Sequence, residues 1–343
     1  MPESRYIRQE LFEPIGTEGQ RRIMAASAVI VGCGALGTNI ANNLARSGVG
    51  RLRIIDRDLV EMDNLQRQVL FDEEDVRRRM PKAVAAVRRL AAVNSEIALE
   101  AEVRELSSAN IERLLDGCDV VMDGTDNAET RLLLNDACVK AGTPYVFGGV
   151  AGATGMTMAI VPGRTPCLRC FMPEPPAPGT APTAATDGIL HSVTATIAAL
   201  ECTSALRILT GSFDAPGVLV TVDVWEGEFE RMEVAREPDC PACGRRQFEF
   251  LDAPPRPRAA PVRGTRCVRV PAREGEPVPL GALVDSWRGI GEVVANKWLA
   301  SLTVGERELI VFADGRALVK GTGDVSEAER LVRRYVEAAG GAG

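Results

Sequence analysis

A glycine turn between two short apolar strands limits what this chain can fold into more than any other feature. Ala28–Val31 is apolar, Gly32-x-Gly34-x-x-Gly37 follows, and the turn runs into a helix. A second strand, Leu52–Ile55, ends in Asp56, 19 residues after Gly37. This is the order of a nucleotide-binding βαβ unit. Glycines let the backbone turn tightly and approach a phosphate, and the helix N-terminus offers free N–H groups and a positive dipole end. An acid in the place of Asp56 accepts hydrogen bonds from ribose hydroxyls. Asn64-Leu65-Gln66-Arg67-Gln68 then places a buried-looking arginine just past that acid. A nicotinamide has no need of a cation there, whereas a triphosphate does.

The 343 residues suffice for one large domain with an appendage, and 45% hydrophobic with 25% charged residues is ordinary for a globular protein. A net charge of −7 argues against nucleic acid as the main partner. No apolar run reaches the roughly 20 residues that cross a bilayer, so no membrane role is expected. The polar start MPESRYIRQE is not a signal peptide. A cytoplasmic location is expected, with the nine cysteines reduced or metal-bound.

Strands at 28–31, 52–55, 99–103, 118–123, 144–148 and 218–224 alternate with helical patterns at 84–92, 131–141 and 189–209, after a helical lead-in over 1–25. The alternation predicts an α/β fold with a Rossmann-like, mostly parallel sheet and helices on both faces. Ligands then bind beyond the carboxyl ends of the strands, where Gly32–Gly37, Asp56–Arg67 and Asp123–Asp126 converge. Residues 1–250 form this nucleotide domain, with a crossover loop at 173–187 that also reads as a plain linker. Residues 251–266 are a Pro/Arg linker, and 267–343 form a small α+β appendage. It holds a hairpin at 309–320 and a terminal helix at 326–335 capped by Ser326.

Cys167-x-x-Cys170 and Cys240-x-x-Cys243 are separated by 69 residues. Four thiolates in two such pairs suit a structural tetrahedral zinc that staples the fold. Asp126, after Asp123-Gly124-Thr125, is placed to hold Mg2+ near a triphosphate or to cap the following helix. Lys82 is one of only four lysines among 40 basic residues and either binds phosphate as a point charge or is solvated. Arg5, Tyr6, Arg8 and Gln9 are a surface helix or an arm that supplies an arginine for phosphoryl chemistry. His191, the single histidine, is expected to be packed or capping, and Cys33 and Cys202 to be small buried residues.

Taken in order, Arg5-Tyr6-x-Arg8-Gln9, Ile30-Val31-Gly32-x-Gly34-x-x-Gly37, Asp56-x-Asp58, Asn64-Leu65-Gln66-Arg67-Gln68, Pro81-Lys82-Ala83, Asp123-x-x-Asp126-Asn127 and the two cysteine pairs carry a family resemblance. Roughly residues 4–250 resemble the ThiF/MoeB/HesA family, bacterial relatives of ubiquitin-activating enzymes. The resemblance implies that ATP with Mg2+ adenylates the C-terminal glycine of a small ubiquitin-like sulfur-carrier protein ending in Gly-Gly. Pyrophosphate is released before a thiocarboxylate forms. It also implies that Gly32, Gly34, Gly37, Asp56, Asp58 and Asn64 line the nucleotide. Arg67 and Lys82 bind phosphate, and Asp126 holds the magnesium. Arg8 resembles an arginine given to the neighbouring subunit's site, which implies a homodimer.

The chain departs from the family pattern in the crossover loop, where Thr183-Ala184-Ala185-Thr186-Asp187-Gly188 has alanine in place of a cysteine. Sulfur is therefore expected from a separate donor such as a cysteine desulfurase or sulfurtransferase. The appendage carries Cys267 without a rhodanese-like loop, Met80 replaces a usual glycine, and Gly340-Gly341 reads as a frayed tail. Two other functions compete. One is an NAD-dependent Rossmann oxidoreductase, against which Arg67, Lys82 and Asp126 argue. The other is a non-catalytic, zinc-stapled scaffold for a ubiquitin-like partner, which the alanine at 184 favours.

Overall fold

Ser27–Val31 (β1) runs through the middle of an eight-stranded sheet, and four of its five residues are buried. A strand covered on both faces has no need of polar alternation, which explains the continuous apolar run. The structure, a computed structural model, describes residues 4–176, 184–214, 216–254, 258–262, 265–272 and 278–337. The chain divides into two compact units, Met1–Pro255 and Arg256–Gly343.

The first unit adds Arg51–Ile55 (β2), Ala98–Glu102 (β3), Val120–Asp123 (β4), Tyr145–Ala151 (β5), Thr154–Ile160 (β6), Val218–Asp223 (β7) and Glu228–Glu233 (β8). Their order is β3-β2-β1-β4-β5-β6-β7-β8. The pairs from β3 to β5 are parallel, and those from β5 to β8 are antiparallel. The mostly parallel expectation therefore describes one half of a mixed sheet. β6 and β8 were not expected. All six residues of β8 are exposed, so it carries no inward stripe for a sequence pattern to show.

Gly16–Ala25 (α1), Ala35–Ser47 (α2), Lys82–Val93 (α3) and the long helix His191–Thr210 lie on one face. Ile111–Leu115 (α4) and Ala128–Ala141 (α5) cover the other, in a core that includes Leu132, Leu134, Tyr145 and Phe147. The long helix, labelled α6, packs on α2, β4, β5 and β6. By length and composition it is apolar enough to cross a membrane, an exception to the expectation that no stretch reaches that size. His191 is exposed at its start and makes no side-chain cap, so it is neither packed nor capping. Ala184–Asp187 is one helical turn, while 177–183 of the expected crossover loop lie outside the described residues, as do 338–343.

In the second unit, Ala260–Pro261 (β9), Cys267–Val270 (β10), Glu292–Ala295 (β11), Leu299–Val304 (β12), Arg307–Phe312 (β13) and Ala317–Lys320 (β14) form an antiparallel sheet. Leu280–Ser286 (α7) and Val325–Val332 (α8) contribute Leu283, Ala328 and Val332 to a core around Trp287. The segment expected as a bare linker thus contributes β9. The terminal helix is capped by Asp324, whose carboxylate accepts from the Ser326 N–H at 2.8 Å, and not by Ser326. Ser326 is already inside the first turn, where its N–H needs an acceptor.

Glu201, on α6, is fully buried, and neither carboxylate oxygen has a hydrogen-bond partner. It rests against Gly148 of β5, where a Cβ would come within 1.9 Å of its Oε1. Burial, and then the charge of Asp123, push its carboxyl well above the ordinary value of 4.5. The folded state therefore prefers the protonated form. That preference stabilises fully below the unfolded carboxyl pKa and is lost as pH rises toward the folded one. Glu201→Gln should remove up to about 1.4 kcal/mol of stability loss per pH unit within that window. Denaturant melts at pH 5 and pH 8 check this: the variant should gain on wild type at pH 8, and parallel pH curves would refute it.

Candidate functional site

The register of three parallel strands builds the site. Val31 lies level with Ile55 on β2 and with Asp123 on β4, so Gly32, Asp56 and Gly124 leave the sheet side by side. This is the point where the strand order reverses from β1 toward β4, the place where ligands bind in open α/β sheets.

Gly32 has φ +87, and a Cβ there would lie 2.5 Å from Gly124 O. A Cβ on Gly37 would lie 1.9 Å from Gly32 O, and one on Gly124 would lie 2.2 Å from the same oxygen. The three backbones touch, and side chains would drive them apart. Gly34 differs: only Gln68 Nε2, at 4.0 Å, stands near its Cβ direction, so this glycine faces open space. Gly34 is the N-cap of α2 and makes no side-chain cap. The first intrahelical bond is donated by Thr38 to Gly34 O at 3.0 Å, which leaves the N–H groups of Ala35, Leu36 and Gly37 without acceptors inside the helix.

Asp56 is buried beside this turn. Its carboxylate accepts from Cys33 N at 2.6 Å and from Asp58 N at 2.7 Å. Lys82 begins α3 and is buried, with Nζ 3.9 Å from Asp58 Oδ2. A short antiparallel bridge between Leu59 and Pro81, with Lys82 N donating to Asp58 O at 2.9 Å, holds the two segments together. Burial opposes the lysine's charge, but Asp58 and Asp56 outweigh it and hold its pKa above 10.5. The solvated reading of Lys82 is therefore wrong: its ammonium is a buried cation. Arg57 is held by Glu105 and lies 3.8 Å from Asp58. Cys33 and Cys202 are buried, as expected.

Asn64 is buried and closes the turn Met62–Asn64, its Oδ1 accepting from Glu61 N at 3.3 Å. Arg67 is half-buried, which corrects its buried look in the sequence, and Nη1 donates to Asp63 O at 2.6 Å. Gln68 is buried and its Oε1 has no hydrogen-bond partner.

Asp126 is exposed at the rim and makes no hydrogen bond or ion pair among the described residues. It lies near enough to Arg57 and Lys82 for its charge to raise both their pKa values. The cap of α5 is Asn127, whose Oδ1 accepts from Thr130 N at 2.9 Å, so the capping alternative for Asp126 is excluded. In the lead-in, Tyr6 is buried against Gly48 and accepts from Asn94 Nδ2 at 2.9 Å. Gln9 Nε2 donates to Gln20 Oε1 and Ser47 O at 2.6 and 3.0 Å. Those two residues anchor the arm. Arg8 is exposed and has no hydrogen bond or ion pair among the described residues.

The four sulfurs of Cys167, Cys170, Cys240 and Cys243 lie within 4.8 Å of one another. Cys167 and Cys240 are 3.6 Å apart, and Cys170 and Cys243 are 3.5 Å apart. Sulfurs at about 2.3 Å from a tetrahedral zinc would be about 3.8 Å apart, so the set fits that ion. The S–H of Cys167 pulls the Cys170 thiol down to about 4, and the same hydrogen bond with burial pushes Cys167 up, so the four sulfurs share protons that a bound metal would displace.

The model of the ThiF family matches residues 6–242. "Sulfur carrier protein ThiS adenylyltransferase" of Bacillus subtilis is 41% identical over 335 residues, 97% of this chain and 99% of the relative. "Sulfur carrier protein adenylyltransferase" of Thermus thermophilus is 40% identical over 257 residues, covering 72% and 94%. Among solved structures, E. coli MccB with ATP superposes with a TM-score of 0.61 over 71% of this chain and 75% of its own, at 24% identity, which shows a shared fold.

The glycine contacts give an expected outcome. Gly37→Ala and Gly124→Ala should lose about 1–3 kcal/mol of stability, because backbone cannot yield as a flexible side chain does. Gly34→Ala should lose less, up to about 1 kcal/mol, because only its N-cap role is touched. Thermal unfolding of the three variants checks this, and equal melting temperatures would overturn the interlock.

Proposed function

The chain belongs to the ThiF family, and on that premise we propose that it adenylates the C-terminal glycine of a ThiS-type, ubiquitin-like sulfur carrier ending in Gly-Gly. The observation that carries this is the junction of an open helix N-terminus, a buried lysine and a free rim carboxylate at the strand switch point. A terminal carboxylate oxygen of the carrier attacks the α-phosphorus of ATP. The bond to the β-phosphate breaks, pyrophosphate leaves, and an acyl-adenylate remains. Negative charge builds on the phosphate oxygens, and fixed cations offset it. The α2 N–H groups and Lys82 hold phosphate, Arg67 adds charge, and Asp56, Asp58 and Asn64 line the nucleotide. Asp126 is a hard oxygen donor with no competing partner among the described residues, so it fits Mg2+, which neutralises phosphate charge when bound. None of these steps needs a nucleophile from the chain, which removes the demand for a histidine or cysteine base.

Arg8 serves the site of a second copy in a homodimer. Its neighbours Tyr6 and Gln9 hold the arm while its guanidinium has no partner among the described residues. Sulfur comes from a separate donor, since alanine stands at 184. A nicotinamide oxidoreductase has no use for a buried Lys82 together with the rim carboxylate of Asp126.

Arg67→Ala and Asp126→Ala should each abolish carrier-dependent pyrophosphate exchange into ATP with the fold intact. Mixing Arg8→Ala with Asp126→Ala chains should restore part of it. Near-normal exchange in the single variants sinks the site, and absent complementation sinks the shared arginine. Zinc in the four-cysteine set should be present at about one per chain, and a chelator should lower the melting temperature. Metal analysis without zinc would remove it.

A further inference from the structure

We propose that Arg131, acting with the buried carboxylate of Asp123, is a positioning residue that fixes the direction of Asp126. The proposal rests on the reading of Asp126 as the magnesium-holding acid. Asp123 ends β4 and is fully buried. Its Oδ1 accepts from Thr125 N at 2.9 Å and from Thr125 Oγ1 at 2.7 Å. Its Oδ2 accepts from Tyr145 OH at 2.5 Å and lies 3.5 Å from Arg131 Nε. Arg131 Nη2 in turn donates to Thr125 O at 2.8 Å. The N–H and C=O of Thr125 are thus both tied to one buried ion pair.

Asn127, on the far side of Asp126, is fixed as the cap of α5. Asp126 therefore stands between two immobilised residues while its own side chain is exposed and has no hydrogen bond or ion pair among the described residues. Arg131 is itself held, with its guanidinium 5.4 Å from the Phe147 ring centre and close to Gly149 of β5. Burial holds the Asp123 carboxyl above its ordinary value, and Arg131, Tyr145 and Thr125 offset that only in part. An apolar pair of the same volume would serve stability as well or better. What the apolar pair lacks is a grip on both polar groups of Thr125, and a ligand carboxylate needs such support to hold its direction.

The test uses the full chain and the non-cleavable ATP analogue with a methylene α,β-bridge, titrated with Mn2+ or with no added divalent metal. Arg131→Met should weaken Mn2+-dependent binding by about tenfold and leave binding without added metal unchanged. Arg131→Lys, which keeps a donor for Thr125 O, should recover part of the loss. Hydrogen exchange at the Thr125 amide should quicken in Arg131→Met without metal. If Asp126→Asn loses the Mn2+ dependence and a folded Arg131→Met keeps it, the positioning role is overturned and the magnesium reading stands. If Asp126→Asn keeps the dependence, the magnesium reading fails and the proposal falls with it. Should Arg131→Met not fold, Tyr145→Phe, which removes one donor to Asp123, answers the same question by the same two readouts.

Discussion

Everything at the nucleotide end of this molecule depends on three glycine backbones in contact. Gly32, Gly37 and Gly124 approach so closely that a single Cβ on Gly37 or Gly124 would lie 1.9 or 2.2 Å from the Gly32 oxygen. That contact brings the turn after β1, the start of α2 and the turn after β4 into one layer. Strand register alone would bring the segments level. The glycines bring them close, and only Gly34, the one with open space beside it, is left to face a ligand.

Around that junction the charges divide by burial. Asp56 spends both oxygens on backbone N–H groups, so it shapes the turn before any ribose arrives. Lys82 remains charged inside because Asp58 and Asp56 face it. Arg67 and Asp126 lie further out, where solvent screens them. A buried cation gives a fixed field, and rim groups give adjustable contacts. A transition state that gathers negative charge uses both.

Much of this was legible in the sequence, for reasons that can be named. The glycine spacing, the acid after the second strand and the paired cysteines each encode a local geometry, and the structure brings them together. The antiparallel half was not legible. β8 is exposed along its whole length, and β6 reads Thr-Gly-Met-Thr-Met-Ala-Ile with no clean alternation. Gly124 was visible only as a spacer, because its reason is a contact with a turn 92 residues earlier. Arg131, Tyr145 and Glu201 sit within ordinary helical or strand patterns, and only packing shows that they carry buried polar groups. Asp324 capped a helix that Ser326 seemed to own, since two candidate caps two residues apart are separated only by which one leaves helical geometry.

The lead-in motif shows the same separation of duties within five residues. Tyr6 is locked against Gly48, where a Cβ would meet its ring at 2.5 Å, and Gln9 bridges to Gln20 and Ser47. These contacts fix the backbone on both sides of Arg8 without touching its guanidinium. An arginine meant to stabilise its own fold would be paired, and one meant only for solubility would not need a buried tyrosine two residues away. A rigid mount under a cation unpaired among the described residues fits the proposal that Arg8 works on phosphate in another chain. It parallels the mounting of Asp126 between Thr125 and Asn127. In both places the fold packs the neighbours and leaves the exposed side chain between them unpaired among the described residues.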